Sequence, residues 1–330
     1  MTDTLRDLQH LESMYIRNWE GQLARAAVEL EVFTKLSGGK KMTIKELSEA
    51  CGIQLRKPSE FFHGLVTIKL LDRDNDGFFF NTAATEKYYN RERMDTYIGS
   101  YLVLLASSHS PFNRAPQTLT QPVNYDMKGD FHQQNEVNFF NEAMMGLSMG
   151  AIIKVPSMKE WRKYKTFTDV GGSKAHMVCA IIKENPHIRG VCADLVDCKA
   201  DAEKYIVSQD MQDQARFQSI DFHKEEFAAT DAIIICHCFL NWYDAVKTML
   251  IKKSFAAIPS GGMLMIVDFF MDDAQRDNSA AQLMSLNMVY VTEGHCSRVG
   301  DIMRVMADTG FVDIKYEKIA TNGLIMGFKP

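Results

Sequence analysis

The sequence predicts an α/β protein in two parts, a mostly helical N-terminal third followed by a doubly wound, largely parallel sheet. Three observations carry this. At 330 residues the chain has room for about two domains of roughly 150 residues each. Apolar residues recur at helical spacing from Leu5 to Phe33, and from Thr166 onward short apolar runs alternate with helical patterns. The implied boundaries are residues 1–110 for the helical part, 111–165 for a helical connector and 166–330 for the sheet.

Taken in order, Leu5, Leu8, Leu11, Tyr15, Ile16 and Trp19 form an apolar stripe that Leu23, Ala26, Ala27, Leu30 and Phe33 continue. Thr43 followed by Glu46 is a capping box opening a helix, and Gly52 stops it. A second helix follows Pro58 through Phe61, Phe62, Leu65, Val66 and Ile68. The runs Leu70–Arg73 and Gly77–Asn81 then bracket Asp-Asn-Asp, a hairpin signal. Two helices and a hairpin make a winged-helix pattern, which raises DNA binding at once. However, residues 1–100 hold 14 Lys and Arg against 15 Asp and Glu, a net of −1. Phosphate neutralisation supplies most non-specific DNA affinity, so a neutral module is a poor DNA reader.

In the second part, Thr166–Val170 is a strand and Ala175–Lys183 a helix. Ile188–Asp194 is the next strand, and Thr230–Leu240 reads as a buried strand without polar alternation. Tyr243–Ala257 is helical, Gly262–Asp268 a strand, and Val299–Thr309 a helix stopped by Gly310. The runs Val312–Ile319 and Leu324–Phe328 around Asn322-Gly323 predict an antiparallel hairpin at the edge of the parallel sheet.

Composition narrows the classes further. Hydrophobic residues at 46% and charged residues at 24% are ordinary globular values. No apolar run approaches the ~20 residues of a membrane span. The opening Met-Thr-Asp-Thr-Leu-Arg lacks an apolar signal core, so a cytoplasmic protein with no membrane partner is expected. Cys51, Cys179, Cys192, Cys198, Cys236, Cys238 and Cys296 are odd in number and form no Cys-x-x-Cys pair, which predicts reduced thiols. The net charge of −5 also argues against nucleic acid as a ligand.

The first strand of the second part runs into Asp169-Val-Gly171-Gly172-Ser-Lys-Ala, and Asp194 follows 23 residues after Gly171. A glycine turn lets a ligand approach the backbone, and an acidic residue at that spacing can hold a ribose hydroxyl pair. A nucleoside-bearing cofactor is therefore expected. The glycine series falls short of G-x-G-x-x-G, because Ser173 and Ala175 occupy the later places. That favours a cofactor without a pyrophosphate to cradle.

Across nearly its whole length the chain resembles the dimeric S-adenosylmethionine-dependent methyltransferases typified by caffeic acid, acetylserotonin and bacterial antibiotic O-methyltransferases. The matching stretches are Asn81–Tyr88, Phe140-Asn-Glu-Ala-Met144, Asp169-Val-Gly-Gly, Asp194-Leu195, Asp221-Phe222, Trp242-Tyr-Asp244, Gly261–Asp268 and Thr309-Gly-Phe311. The resemblance implies a Rossmann-like class I methyltransferase sheet over 166–330, a winged-helix dimerisation domain over 1–110, a connector lining the acceptor pocket and a homodimer. It implies that Gly171 and Gly172 face the methionine part of S-adenosylmethionine, that Asp194 serves the ribose and that Asp221 and Phe222 flank the adenine. Asp169, Leu195 and Trp242 are expected among the other cofactor contacts. Cys236 falls where the family often carries a cofactor-contacting Lys.

In O-methylating members a His within a His-Asp-Trp-x-Asp string takes the acceptor's proton. Aligning Trp242 and Asp244 puts Leu240 at the His position and Asn241 at the Asp position, and the later acidic partner aligns with Cys296. The general base is missing, while Asp268 survives among the acidic groups. A thioether sulfur carries no proton, so its methylation needs positioning rather than a base. The sequence therefore predicts S-methylation of a thioether acid such as 4-methylthio-2-hydroxybutyrate, as in the subgroup that serves dimethylsulfoniopropionate synthesis. O-, N- or C-methylation and a cofactor-binding, non-methylating role are the alternatives. Asp268, His295 and Tyr290 are the expected catalytic or positioning residues. Arg114, Phe140, Met144, Asn287, Tyr290 and Arg298 are the expected acceptor contacts. His237 reads as a core histidine inside the Ile233–Leu240 strand, and no metal site is expected, since alternate strand residues point to opposite faces.

Overall fold

The computed structural model describes residues 3–106, 110–120, 134–276 and 278–330. The chain divides into two compact units, Met1–Asn113 with Gln133–Leu147, and Arg114–His132 with Ser148–Pro330. The 111–165 connector is thus shared between them.

In the first unit, helix α1 (Asp3–Glu29) ends before Glu31, which takes a left-handed φ of 54°, and α2 (Val32–Lys35) follows. Helix α3 (Ile44–Ala50) has the capping box: Glu46 N donates to Thr43 Oγ1 at 3.3 Å and Thr43 N donates to Glu46 Oε2 at 2.8 Å. Helix α4 (Pro58–Thr67) has Pro at its first turn, and the short strands β1 (Leu71–Arg73) and β2 (Phe79–Asn81) pair antiparallel. Helices α5 (Ala83–Tyr88) and α6 (Gly99–Ala106) complete the run. Ala27, Phe33, Leu47, Phe62, Leu65 and Phe79 form its core with no exposed surface. The stripe of Leu5, Leu8, Leu11, Tyr15, Ile16 and Trp19 on α1 stays between 42% and 65% exposed. Helix α7 (Ala115–Thr120) belongs to the second unit, and α8 (Gln134–Lys154) contributes to both.

The second unit is built on seven strands. In chain order they are β3 (Thr166–Val170), β4 (Arg189–Asp194), β5 (Ala215–Ser219), β6 (Ala232–Cys236), β7 (Met263–Asp268), β8 (Val312–Ile319) and β9 (Asn322–Phe328). Their order across the sheet is β5-β4-β3-β6-β7-β9-β8. The first five run parallel, while β9 pairs antiparallel with β7 and β8. The interleaved helices are α9 (His176–Glu184), α10 (Lys199–Ser208), α11 (Asp244–Ala257), α12 (Ser279–Val291) and α13 (Val299–Thr309). Ile234, Met263, Met265 and Val267 pack into one apolar cluster and Ile233, Ile235, Leu264 and Ile266 into another, the two-residue period of a sheet buried on both faces. The chain goes one way from β3 to β5 and the other way to β6 and β7. The switch therefore falls between β3 and β6, and a ligand belongs at the carboxyl ends there.

The Thr230–Leu240 strand is corrected: β6 stops at Cys236. His237 turns the backbone out of the sheet at φ 50°, and Phe239–Asn241 forms a 3-10 turn. An unbroken apolar run hides such an ending, because a buried turn is as apolar as a buried strand. Strand β5, with Arg216 and Gln218 in it, and helix α10, with four charged residues, lack the periodicity that would announce them. Among the described residues no helix is long and apolar enough to cross a membrane.

Candidate active site

The turn after β3 stands at the switch point. Gly171 has φ 76°, and its N–H donates to Ala193 O at 2.8 Å. A Cβ there would lie 2.9 Å from Cys238 Sγ, and one on Gly172 would lie 2.8 Å from Asp169 Oδ2 and 2.9 Å from Cys192 Sγ. Both positions need glycine for space, and Gly171 also needs it for its backbone. Ser173 and Ala175 carry positive φ without being glycine, at 48° and 62°. Strain of this kind gathers at ligand-binding turns.

Carboxylates surround this turn. Asp194, at the end of β4, accepts from Ser173 N at 2.8 Å and from Leu195 N at 2.7 Å, so it holds the turn in shape. Asp169 is 1% exposed, and its Oδ1 has no hydrogen-bond partner among the described residues. Burial, with Asp194 nearby, pushes its carboxyl up to about 8. Beyond β5, Asp221 pairs with Lys224 at 2.7 Å and accepts from His223 N at 3.0 Å, contacts that hold its carboxyl below its ordinary value. The rings of Phe222, His223 and Trp242 meet there, with Phe222–Trp242 centroids 5.6 Å apart and His223–Trp242 centroids 4.8 Å apart, both edge-on. Leu195, next to Asp194, is half exposed. Cys236 offers only a neutral thiol, raised well above its usual range by burial and by Asp169 and Asp268.

The other side of the switch point holds the residues expected to act on an acceptor. Asp268 ends β7, is 2% exposed, and accepts from Leu240 N at 3.0 Å and Phe269 N at 2.7 Å. Burial raises its carboxyl to about 7 against the pull of those hydrogen bonds and of Lys247. Gly294 fits flat against the Leu240–Trp242 backbone, since a Cβ there would run into Leu240 O and the backbone of Asn241 and Trp242. The loop that follows is clamped by Lys247, only 2% exposed, whose ammonium donates to His295 O at 2.8 Å and Ser297 Oγ at 2.9 Å. His295 Nε2 lies 3.2 Å from Asp244 Oδ1, and burial together with the Lys247 charge lowers its pKa. Tyr290 is buried on α12, and Asn287 Nδ2 lies 3.9 Å from Met288 Sδ. Arg298 is committed to Asp301 at 2.6 Å. Phe140 and Met144 are half-buried on α8 in the first unit. The Arg114 side chain lies outside the described residues. Among those residues no group of three metal-ligating side chains converges.

The match of residues 124–312 to the family model of the O-methyltransferase domain decides the family. The chain belongs to the O-methyltransferase domain family. It is 27% identical to the tetracenomycin polyketide synthesis 8-O-methyl transferase TcmO of Streptomyces glaucescens, over 92% of each chain. It is 23% identical to the N,N-dimethyltransferase OxyT of Streptomyces rimosus, over 82% of this chain and 79% of that one. In structure it is similar to the pyocyanin biosynthetic protein PhzM, with a TM-score of 0.86 and 15% identity over 99% of this chain and 100% of that one. It is likewise similar to human N-acetylserotonin methyltransferase in complex with S-adenosylmethionine, with a TM-score of 0.83 and 18% identity over 100% and 98%.

This methyltransferase uses S-adenosylmethionine, and the turn fits it. The unpartnered Asp169 Oδ1 suits a cation, and the glycine cradle leaves no space for a side chain. His223, Cys192, Cys238 and Lys247 join the site without a sequence signal. The two thiols sit in apolar strand contexts, and Lys247 reads as the polar face of a helix although the fold buries it.

Proposed function

We propose that this methyltransferase moves the methyl group of S-adenosylmethionine to an oxygen or nitrogen of a small aromatic molecule, with no histidine base at the position the family resemblance assigns. The observation that carries this is the apolar burial of that position. Leu240 is 4% exposed and Cys296 1%, and burial holds the Cys296 thiol far above its usual range. Neither side chain takes a proton at neutral pH.

When bound, S-adenosylmethionine supplies an electrophilic methyl on a positively charged sulfur. Asp169, Gly171 and Gly172 would hold its methionine part, Asp194 and Leu195 its ribose, and Asp221, Phe222 and Trp242 its adenine. Asp268 stands near neutrality at about 7, where a carboxyl accepts a proton usefully. Its orientation is fixed by the Leu240 and Phe269 amides. An acceptor whose hydroxyl is acidic, or whose nitrogen has a free lone pair, needs only that carboxylate and correct placement. Tyr290, Asn287, His295 and Arg298 are proposed for the acceptor side. The acceptor roles of Phe140, Met144 and Arg114 are proposed from family resemblance and are tested by alanine substitution.

The names of TcmO and OxyT support oxygen and nitrogen acceptors. The missing base supports a second acceptor class, the sulfur of a thioether acid such as 4-methylthio-2-hydroxybutyrate. The test is S-adenosylhomocysteine release with product mass across catechol, 1-naphthol, aniline and 4-methylthio-2-hydroxybutyrate. An O- or N-methylated product upholds the proposal, and a sulfonium product alone transfers it to sulfur. Tight cofactor binding without release from any acceptor leaves the non-methylating role. The exposed α1 stripe supports a homodimer, and a monomer by light scattering would overturn that part.

A further inference from the structure

Helix α11 carries three lysines, and the fold treats them differently. Lys252 is exposed, Lys247 is buried, and Lys253 keeps only 12% of its side chain exposed. Lys247 and Lys253 are six residues apart, which sets them about 120° apart around the helix and about 9 Å apart along it. Their ammonium groups leave α11 towards different neighbours. Lys253 Nζ donates to Phe222 O at 3.0 Å and to Glu225 O at 2.6 Å, and lies 3.3 Å from Glu226 Oε1. Lys247 Nζ donates to His295 O and Ser297 Oγ, and lies 3.6 Å from Asp244 Oδ1.

These neighbours are two different loops. Residues 221–226 follow β5 and include Asp221, Phe222 and His223; the loop turns on itself, Asp221 O accepting from Lys224 N and Glu225 N at 2.9 Å. Residues 292–298 join α12 to α13 and include His295 and Arg298. Three of the four lysine hydrogen bonds end on main-chain carbonyls, so they fix the path of each loop whatever its side chains do. Helix packing alone does not call for this. A buried lysine costs free energy that an apolar side chain of similar length would not, and burial holds the Lys247 pKa below its ordinary value. Methionine would pack in either place, but it cannot hold a carbonyl.

We propose that α11 is a two-ended clamp whose lysines are positioning residues for the two halves of the reaction. Lys253 sets the loop that brings Asp221 and Phe222 to the cofactor, and Lys247 sets the loop that brings His295 and Arg298 to the acceptor. This rests on the methyl-transfer function proposed above, which assigns the two loops. The test uses the full chain with Lys253→Met, Lys247→Met and, as the control, Lys252→Met. Calorimetry reads S-adenosylhomocysteine affinity, and hydrogen exchange by mass spectrometry reads residues 221–226 and 292–298 separately. Lys253→Met should weaken S-adenosylhomocysteine binding about tenfold, the worth of a hydrogen bond to a charged group, and speed exchange over 221–226 alone. Lys253→Arg should restore the affinity, because it returns a charged donor. Lys247→Met should leave the affinity unchanged and speed exchange over 292–298 alone. It should also raise KM more than it lowers kcat for whichever of catechol, 1-naphthol or aniline turns over. Should Lys247→Met fail to fold, Ser297→Ala removes one of the same loop bonds and should speed the same exchange. Unchanged affinity in Lys253→Met, an arginine variant as weak as the methionine one, or an equal loss in Lys252→Met would each overturn the cofactor arm. Unchanged exchange over 292–298 in Lys247→Met would overturn the acceptor arm, and loops that loosen together in either variant would reduce α11 to ordinary packing. If the unaltered chain methylates none of the three acceptors, the methyl-transfer function fails, while affinity and exchange still decide the clamp.

Discussion

Asp169 should make cofactor binding depend on pH in a direction that can be worked out beforehand. Its carboxyl is buried, stands near Asp194 and is pushed up to about 8. At pH 7 such a group is about nine-tenths protonated in the free protein. A cation seated against its unpartnered Oδ1 selects the ionised form, so binding at pH 7 should release close to one proton. The ionised fraction rises about tenfold between pH 7 and pH 9, and the dissociation constant should fall by the same factor, equivalent to about 1.4 kcal/mol. Calorimetry in two buffers of different ionisation enthalpy counts the proton directly. Asp169→Asn should release none and should show a flat pH profile. At pH 9 it should bind about 10- to 100-fold more weakly than the natural protein, having lost a charge-assisted contact. Cofactor affinity that is unchanged from pH 6.5 to 9, with no proton released, would refute the reasoning.

Burial holds His176 down to about 4 beside Tyr205, whose ring centroid is 4.3 Å away. A depressed imidazole contributes stability that is present above its unfolded value near 6.5 and lost as pH falls toward 4. His176→Phe should therefore gain up to about 2 kcal/mol relative to the natural protein between pH 7.5 and pH 5, checked by urea unfolding at both values. Asp169 and Asp268 act with the opposite sign, since their raised carboxyls lose stability as pH rises from about 4 toward 7 and 8. Asp268→Asn should thus flatten the fall in melting temperature between pH 5 and pH 8. Gly190→Ala places a Cβ 2.7 Å from the Phe167 ring and should cost about 1–3 kcal/mol while leaving cofactor affinity unchanged. Gly171→Ala should instead abolish cofactor binding. Lys247→Met removes the charge that helps depress His295, so the His295 pKa should rise when followed by NMR titration.

The parallel core and the glycine turn with Asp194 beside it were legible because each rests on a local pattern. Ile233 to Ile235 and Met263 to Val267 can only be strands buried on both faces, and Asp169-Val-Gly-Gly with Asp194 is a spacing that a turn and a second strand enforce. The acceptor side was less legible. Lys247 and His295 come together from α11 and a loop 48 residues apart, and nothing local to either announces the other. His237 was expected as a core histidine inside a strand; its ring is buried, but it stands just past the end of β6 with a left-handed φ of 50°. Arg298 was expected as an acceptor contact, and nothing in the sequence announced its pairing with Asp301, three residues on. Side chains that depend on one dihedral angle or one distant partner leave no periodic trace.

The place of β9 has a consequence for how the sheet is made. All six residues of β7 are buried, and one of its edges is covered only by residues 322–328, which come last in the sheet's chain order. Until those residues arrive, Met263 to Asp268 present an apolar strand with a row of open amides and carbonyls, the surface most apt to recruit another chain. A chain cut between Asp268 and Asn322 therefore keeps the glycine turn, the carboxylates and the aromatic cluster, yet should aggregate as it is synthesised. The final hairpin acts as the closing seam of the molecule, and its loss should appear first as insolubility rather than as lost chemistry.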